Sequence, residues 1–300
     1  MGIVNQALLL EKGLRADFVK AFNNGEDPND VMPFIMTTSS TSNKENYGWL
    51  GSVPNLTEWK DERTLHGLRD FDYELPNKHY EATLQVDRDN LADDQLGAIK
   101  IRIADLARKA KLHPRKLFFE ALLAGTTELC YDGQFFFDTD HSEGDSGTQS
   151  NLLTGTGTTL AQLQTDFIAA RAAMENFKDD QGEPLNEGEL SLYIVAPPAL
   201  RGRFEELINA SIISNTTNTL KGAAKLLTTS RITDVNDWYL IETSGTLKPF
   251  IKQIRQSPVF EALEGNSDRG FMSKRFAYGI DHRMGFGYGL WQKAIKTTNA

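Results

Sequence analysis

Three hundred residues with 40% hydrophobic content can bury a substantial core, as one large domain or two interleaved ones, which excludes a disordered chain. A net charge of −9 speaks against a protein that coats nucleic acid, and no run approaches the roughly 18 apolar residues that a membrane span requires. The single cysteine, Cys130, excludes an internal disulfide, leaves no CxxC or Cys/His zinc set, and reads as a buried structural thiol after Leu129.

The first six residues carry no basic region or cleavage site, so no secretion signal is expected, and Gln6 stands where a myristoylation motif wants Ser or Thr. From Asn5 to Asn24 apolar residues recur every four positions at Leu10, Leu14, Phe18 and Phe22, which predicts a short amphipathic helix capped by Asn5. A linker of Gly25-Glu26-Asp27-Pro28-Asn29-Asp30 and the Ser/Thr/Asn-rich stretch 37–43 follow, so the apolar face of this helix is expected to need an external surface. Between Tyr47 and Tyr73 the large residues Trp49, Leu50, Leu56, Trp59, Leu65, Leu68 and Phe71 stand among Gly, Pro and many charges. This segment reads as strands joined by turns, marginal alone in water. Its apolar side chains imply an intermolecular contact, with folding back onto its own domain as the alternative.

His79 to Asp89 alternates as a half-buried strand does. Asn90 then caps a helix with Asp93 and Asp94 at its positive end and a stripe of Leu96, Ile99, Ile103, Leu106 and Ala110, running to about Leu112. Pro114 is expected either to stop it or to open a second helix reaching about Leu123. Residues 142–159 are Gly, Ser, Thr and Asn with little to bury, which predicts a mobile surface loop. Thr159 opens a helix carrying Leu160, Leu163, Phe167, Ala170, Met174 and Phe177. A further helix is expected over about 199–209, with strands over 190–195, 225–228, 238–242, 249–255 and 271–281. Helices and strands mix without a regular βαβ rhythm, which indicates α+β.

Asp138, Asp140 and His141 are the nearest thing to a metal or acid/base cluster, since three potential ligands within four residues can meet a cation at a turn. A third catalytic ligand would have to come from elsewhere, however, and His66, His79, His113 and His282 show no HxH or HExxH spacing. Turn hydrogen bonds account for the three residues more simply. Gly285-Phe286-Gly287-Tyr288-Gly289 meets neither phosphate-loop spacing and reads as a strand with close backbone approach. No metal or cofactor is expected.

Several segments together resemble the Mu-like phage major head subunit family. They are Tyr47-Gly48-Trp49-Leu50-Gly51 with Pro54 and Glu58-Trp59; Asn77-Lys78 with Tyr80-Glu81; Val86 with Arg88-Asp89; Asp93-Asp94-Gln95 with Gly97; His113-Pro114; and the run Tyr131-Asp132-Gly133-Gln134-Phe135-Phe136-Phe137-Asp138-Thr139-Asp140-His141. The clear similarity covers roughly 45–141, and Ser142 stands where many relatives have Pro. The resemblance implies the α+β Hong Kong 97-like major capsid protein fold. On that pattern 1–44 would be an N-terminal arm and 45–78 an extended E-loop hairpin. Residues 79–158 would be a peripheral domain with a long spine helix, 159–250 an axial domain, and 251–300 a return to the peripheral domain.

The function so implied is that of a shell subunit, not an enzyme: a major capsid protein of a tailed double-stranded DNA phage, forming hexamers and pentamers of an icosahedral head. Leu10, Leu14, Phe18, Phe22, Trp49, Leu50 and Trp59, with Lys60, Asp61, Glu62 and Arg63 as rim charges, are the expected intersubunit contacts. A separate scaffolding protein, a portal and decoration proteins are the expected partners, around DNA bound without sequence specificity, in a virion assembled in the host bacterial cytoplasm. No membrane partner and no covalent cross-link are expected. An encapsulin-like nanocompartment shell is the alternative on the same fold. A metal-dependent enzyme using Asp138, Asp140 and His141 is the alternative from another class.

Overall fold

Two sheets with helices laid against them organise the chain in the computed structural model, which describes residues 3–24, 30–48, 50, 73–87, 96–263 and 275–299. The elements run α1 (Ile3–Asn24), β1 (Ile35–Ser39), β2 (Lys44–Asn46), β3 (Glu74–Pro76), β4 (Lys78–Asp87) and α2 (Leu96–Ala124). The short strands β5 (His141–Ser142), β6 (Thr148–Gln149) and β7 (Leu152–Thr154) precede α3 (Leu160–Asn176), β8 (Leu192–Ala196) and α4 (Arg201–Asn209). The rest comprises β9 (Ile212–Ile213), β10 (Thr216–Thr217), β11 (Lys225–Thr228), β12 (Trp238–Glu242), β13 (Phe250–Leu263), β14 (Arg275–Tyr288) and β15 (Ala294–Thr298).

The first sheet has the order β1-β13-β14-β4. Strands β13 and β14 are 14 residues each, longer than their patterns predict, and pair antiparallel from Phe250↔Tyr288 to Leu263↔Ala277. Along β14, Phe276, Tyr278, Ile280, His282 and Met284 share one buried face, the period of two that a sheet with one covered side requires. Helix α2 covers that face. It is a single helix of 29 residues, about 43 Å long, and runs straight through Pro114. Proline costs one backbone bond and crowds the preceding turn. Ile99, Ile103 and Ala107 before it are buried in one core cluster, Phe118 and Leu122 after it in another, and packing on both sides of Pro114 offsets that cost.

Helix α1 forms where its four-residue spacing predicts, but its apolar face finds a surface within its own chain. Leu14 and Phe18 are buried beside Ile99 and Ile103 of α2, and the Phe18 ring stacks on Phe260 at 5.0 Å. Asp17 and Lys100 bridge the two helices at 3.3 Å. In the single subunit these two positions, Leu14 and Phe18, are thus packed within its own core. Phe22 is half-buried on the same face. Leu50 likewise is buried in the subunit's own main core with Tyr47. Trp49, Trp59, Lys60, Asp61, Glu62 and Arg63 lie outside the described residues, as does the side chain of Leu10.

The second sheet has the order β11-β8-β12-β15-β7. All five residues of β12 are buried, and α3 and α4 pack beside the sheet. Thr159 closes a capping box with Gln162 at the start of α3, where the sequence places the helix. The last strand, β15, pairs here, antiparallel to β12. Segment 142–159 is not a free loop: β5 and β6 form a hairpin and β7 adds an edge strand to this sheet.

Candidate functional site: the signature segment and its buried anchor

After α2 the chain makes a tight hairpin, Leu129↔Phe135, around Gly133, whose φ of +85° is a left-handed conformation that favours glycine. Phe136 and Phe137 turn inward. Phe136 stacks on Tyr288 at 4.5 Å, and Phe137 meets Tyr239 of β12 at 5.5 Å, so the pair joins the first sheet to the second. A Cβ on Gly125 would lie 2.6 Å from the Phe137 ring, which explains the glycine at the end of α2. Leu129 and Phe135 remain exposed on the outer side of the hairpin.

The polar residues of the segment separate into an inner and an outer set. Asp138 and Asp140 form the outer set: their carboxyls hydrogen-bond to each other, and that bond together with their mutual repulsion raises Asp140. His141 turns away, fully buried, with its ring stacked on Trp291 at 4.0 Å and 7°. The three residues are therefore not one site. The cluster proposed from sequence fails because a two-residue spacing aligns side chains only in a continuous strand, and β5 begins only at His141.

The inner set is more elaborate than the sequence shows. His141 Nδ1 meets Asp132 Oδ2 at 2.6 Å, and Nε2 meets Asn151 Oδ1 at 3.2 Å. Asn151 Nδ2 donates to the Phe136 carbonyl at 2.7 Å, and the Asp138 amide donates to Asn151 Oδ1 at 2.9 Å. Burial would raise the Asp132 carboxyl, but the His141 hydrogen bond and charge outweigh it and hold Asp132 below its ordinary range. Cys130, Asp132 and His141 place their ligand-type atoms within 4.8 Å of one another, the one such trio among the described residues. Each already has an acceptor or donor: the thiol gives its hydrogen to Asp132 Oδ1 at 3.0 Å. The trio is closed without an ion.

Glu143, next to this network, is 2% exposed. Its Oε1 accepts from Tyr131 at 2.5 Å, Trp291 Nε1 at 2.7 Å and Gln292 Nε2 at 3.2 Å, while Oε2 has no partner among the described residues. Burial is the largest influence on this carboxyl, and it is pushed up to about 7 despite the donors. Lys293, two residues beyond Trp291, pairs at 2.6 Å with the buried Glu242 of β12. Burial raises Glu242 too, but Lys293 and Ser244 overcome it and the carboxyl sits below its usual range. The signature segment is thus locked to the C-terminal strand by Asn151, Glu143 and Trp291. Sequence reasoning missed all three, since a lone Glu or Asn in a Gly/Ser-rich run has no pattern that marks it as buried.

A fold built around such an internal anchor, with no open catalytic constellation among the described residues, matches what comparison finds. The Mu-like prophage major head subunit family matches residues 8–166, 158–232 and 230–300. The chain belongs to this family. Its sequence is 30% identical over 95% of its length to the Mu-like prophage FluMu major head subunit of Haemophilus influenzae, covering 72% of that protein. It is 27% identical over 95% of its length to the major capsid protein of Escherichia phage Mu, again covering 72%. In fold it is similar to a chain of the procapsid of bacteriophage JBD30, at TM-score 0.58 and 26% identity, over 97% of this chain and 76% of that one. This chain is a phage major capsid protein with the Hong Kong 97-like fold, and its relatives are structural shell proteins, so neither the nanocompartment nor the enzyme reading is favoured.

Proposed function

We propose that this subunit assembles with copies of itself into hexamers and pentamers of an icosahedral head that encloses double-stranded DNA. The observation that carries the reading is the likeness, along almost the whole chain, to the JBD30 procapsid subunit. Apolar side chains that the lone subunit leaves in water support it: Ile101 on α2 is 72% exposed, and Leu129 and Phe135 stand out from the signature hairpin. Contacts between copies would cover them, with Phe22, Trp49, Trp59 and Leu10 as apolar anchors and Lys60, Asp61, Glu62 and Arg63 on the rim. A net charge of −9 suits a container that does not grip its contents. A separate scaffolding protein, a portal and decoration proteins complete the assembly, which takes place in the bacterial cytoplasm. The division into arm, E-loop, peripheral and axial domains belongs to the same proposal, with the last strand counted in the axial sheet. Sedimentation velocity on the full chain, alone and coexpressed with its scaffold, tests the reading. Closed particles, or hexamers and pentamers, are expected; compact monomers under both conditions contradict it.

A further inference from the structure

Strands β2 and β3 stand apart from the first sheet. They form a two-stranded ribbon, paired from Lys44↔Pro76 to Asn46↔Glu74, and neither strand is hydrogen-bonded into the sheet of β1, β13, β14 and β4. The ribbon carries both ends of the segment between Tyr47 and Tyr73, and the Tyr47 amide donates to the Tyr73 carbonyl at 2.8 Å. A ribbon this short is marginal by itself. Ladder bonds do not set its angle to the sheet, so side chains must.

Gln253 of β13 is a side chain that meets both ends. It is 0% exposed, and its Oε1 accepts from the Tyr47 hydroxyl at 2.9 Å. Its Nε2 donates to the Leu75 carbonyl at 3.2 Å and to Asn77 Oδ1 at 2.9 Å, so both amide hydrogens are used. The partners are held in turn: the Tyr47 hydroxyl lies 2.7 Å from Thr38 Oγ1, and Asn77 Nδ2 donates to Ser40 Oγ and to the Ser42 carbonyl, each at 2.9 Å. Opposite Gln253 in the register stands Gly285, where a Cβ would lie 3.0 Å from the Pro76 carbonyl and 3.1 Å from Leu75 Cγ. The sheet is hollowed where the ribbon crosses it. Apolar packing would hold the ribbon down without directing it, whereas hydrogen bonds demand one geometry and a buried network with every member satisfied selects one arrangement.

We infer that Gln253 is a positioning residue for assembly: by clamping Tyr47 on one side and Leu75 and Asn77 on the other, it fixes the direction in which the chain leaves the subunit after Tyr47 and re-enters it at Tyr73. The inference rests on the proposed role of Trp49 and Trp59 as contacts with a neighbouring copy, which that direction would place.

The test compares the full chain with Gln253→Met, which keeps the length of the side chain and removes its three bonds, and with Tyr47→Phe, a milder change that removes only the bonds of the hydroxyl. Ile241→Val, in the core of the other sheet, controls for lost stability. Spin labels at Glu74→Cys on the ribbon and Thr83→Cys on β4, in a Cys130→Ala background diluted with unlabelled chain, measure the ribbon against the sheet by electron paramagnetic resonance. Electron microscopy of each unlabelled chain coexpressed with its scaffold measures assembly. The parent and Ile241→Val should give one narrow distance distribution and closed particles. Gln253→Met should give a broadened or shifted distribution and open or irregular assemblies, and Tyr47→Phe, which decides the matter if Gln253→Met fails to fold, a smaller change of the same kind. Distances unchanged in both variants, closed particles from a chain whose distribution has broadened, or particles lost equally from Ile241→Val would overturn the inference. A parent chain that forms no particles would contradict the assembly reading itself, and the distances would still decide whether Gln253 is the clamp.

Discussion

Asn151 is fully buried and holds three groups at once: the His141 ring, the Asp138 amide and the Phe136 carbonyl. Asn151→Ala leaves all three without that partner, so a loss of about 2 to 4 kcal/mol is expected in chemical denaturation. Asp140→Ala, eleven residues earlier in the chain and exposed, should leave the denaturation midpoint nearly unchanged. Equal effects would mean that the inner and outer sets are wrongly divided. Glu143 and Glu242 answer pH in opposite directions. The Glu143 carboxyl is raised above its unfolded value of 4.5 to about 7, so its contribution is present below 4.5 and is lost as pH rises through 7. Glu143→Gln should remove that slope and stabilise the subunit at pH 8 by about 2 kcal/mol, seen in urea midpoints between pH 5 and 8. The Glu242 carboxyl is depressed, so its contribution is present above its unfolded value of 4.5 and lost as the pH falls through its lower folded value.

At the scale of elements, docking of α1 rests on a few side chains. Phe18 lies against Phe260 and Phe22, so Phe18→Ala should cost about 2 to 4 kcal/mol and raise amide exchange along α1 and the near half of α2. Exchange in β12, at the centre of the other sheet, should stay unchanged. Helices α1, α3 and α4 were legible because each carries a regular apolar stripe, and α3 carries its cap in Thr159 and Gln162 as well. The spine helix was legible on either side of Pro114 but not across it, because the force that carries it through is packing against β14, which local pattern does not contain. Strands β5 to β7 were invisible for the same kind of reason. Their residues are small and polar, and they are ordered by Asn151 and by pairing with β15, some 140 residues away. Gly285 and Gly287 were legible as close approaches: a Cβ at 287 would meet Leu75 at 2.7 Å and the Tyr73 hydroxyl at 2.8 Å. Gly287→Ala should therefore displace the chain at Leu75 and lower stability by about 1 to 3 kcal/mol.

Across the whole molecule, the two sheets meet at Phe136, Phe137, Phe250 and Tyr288, and the C-terminal strand is pinned to the signature segment through Trp291 and Lys293. The subunit is thus a body whose two sheets are joined through buried side chains, while Ile101, Leu129 and Phe135 stay exposed. Such a body tiles a surface without needing a catalytic cleft, which is why family membership was legible in scattered motifs while the residues of contact were not. Leu14, Phe18 and Leu50, expected to meet a neighbour, are buried within the subunit itself. Amphipathic spacing shows that a face must be covered, but not by which chain. The most direct measurement of the central claim is a cryo-EM reconstruction of particles purified after coexpression with the scaffold. A closed icosahedral shell whose hexamers and pentamers are built of this fold is expected, with density from a neighbouring copy over Ile101 and over Leu129 and Phe135. Particles that lack this chain from their shell lattice, or a chain that stays monomeric with those side chains in solvent, would contradict it.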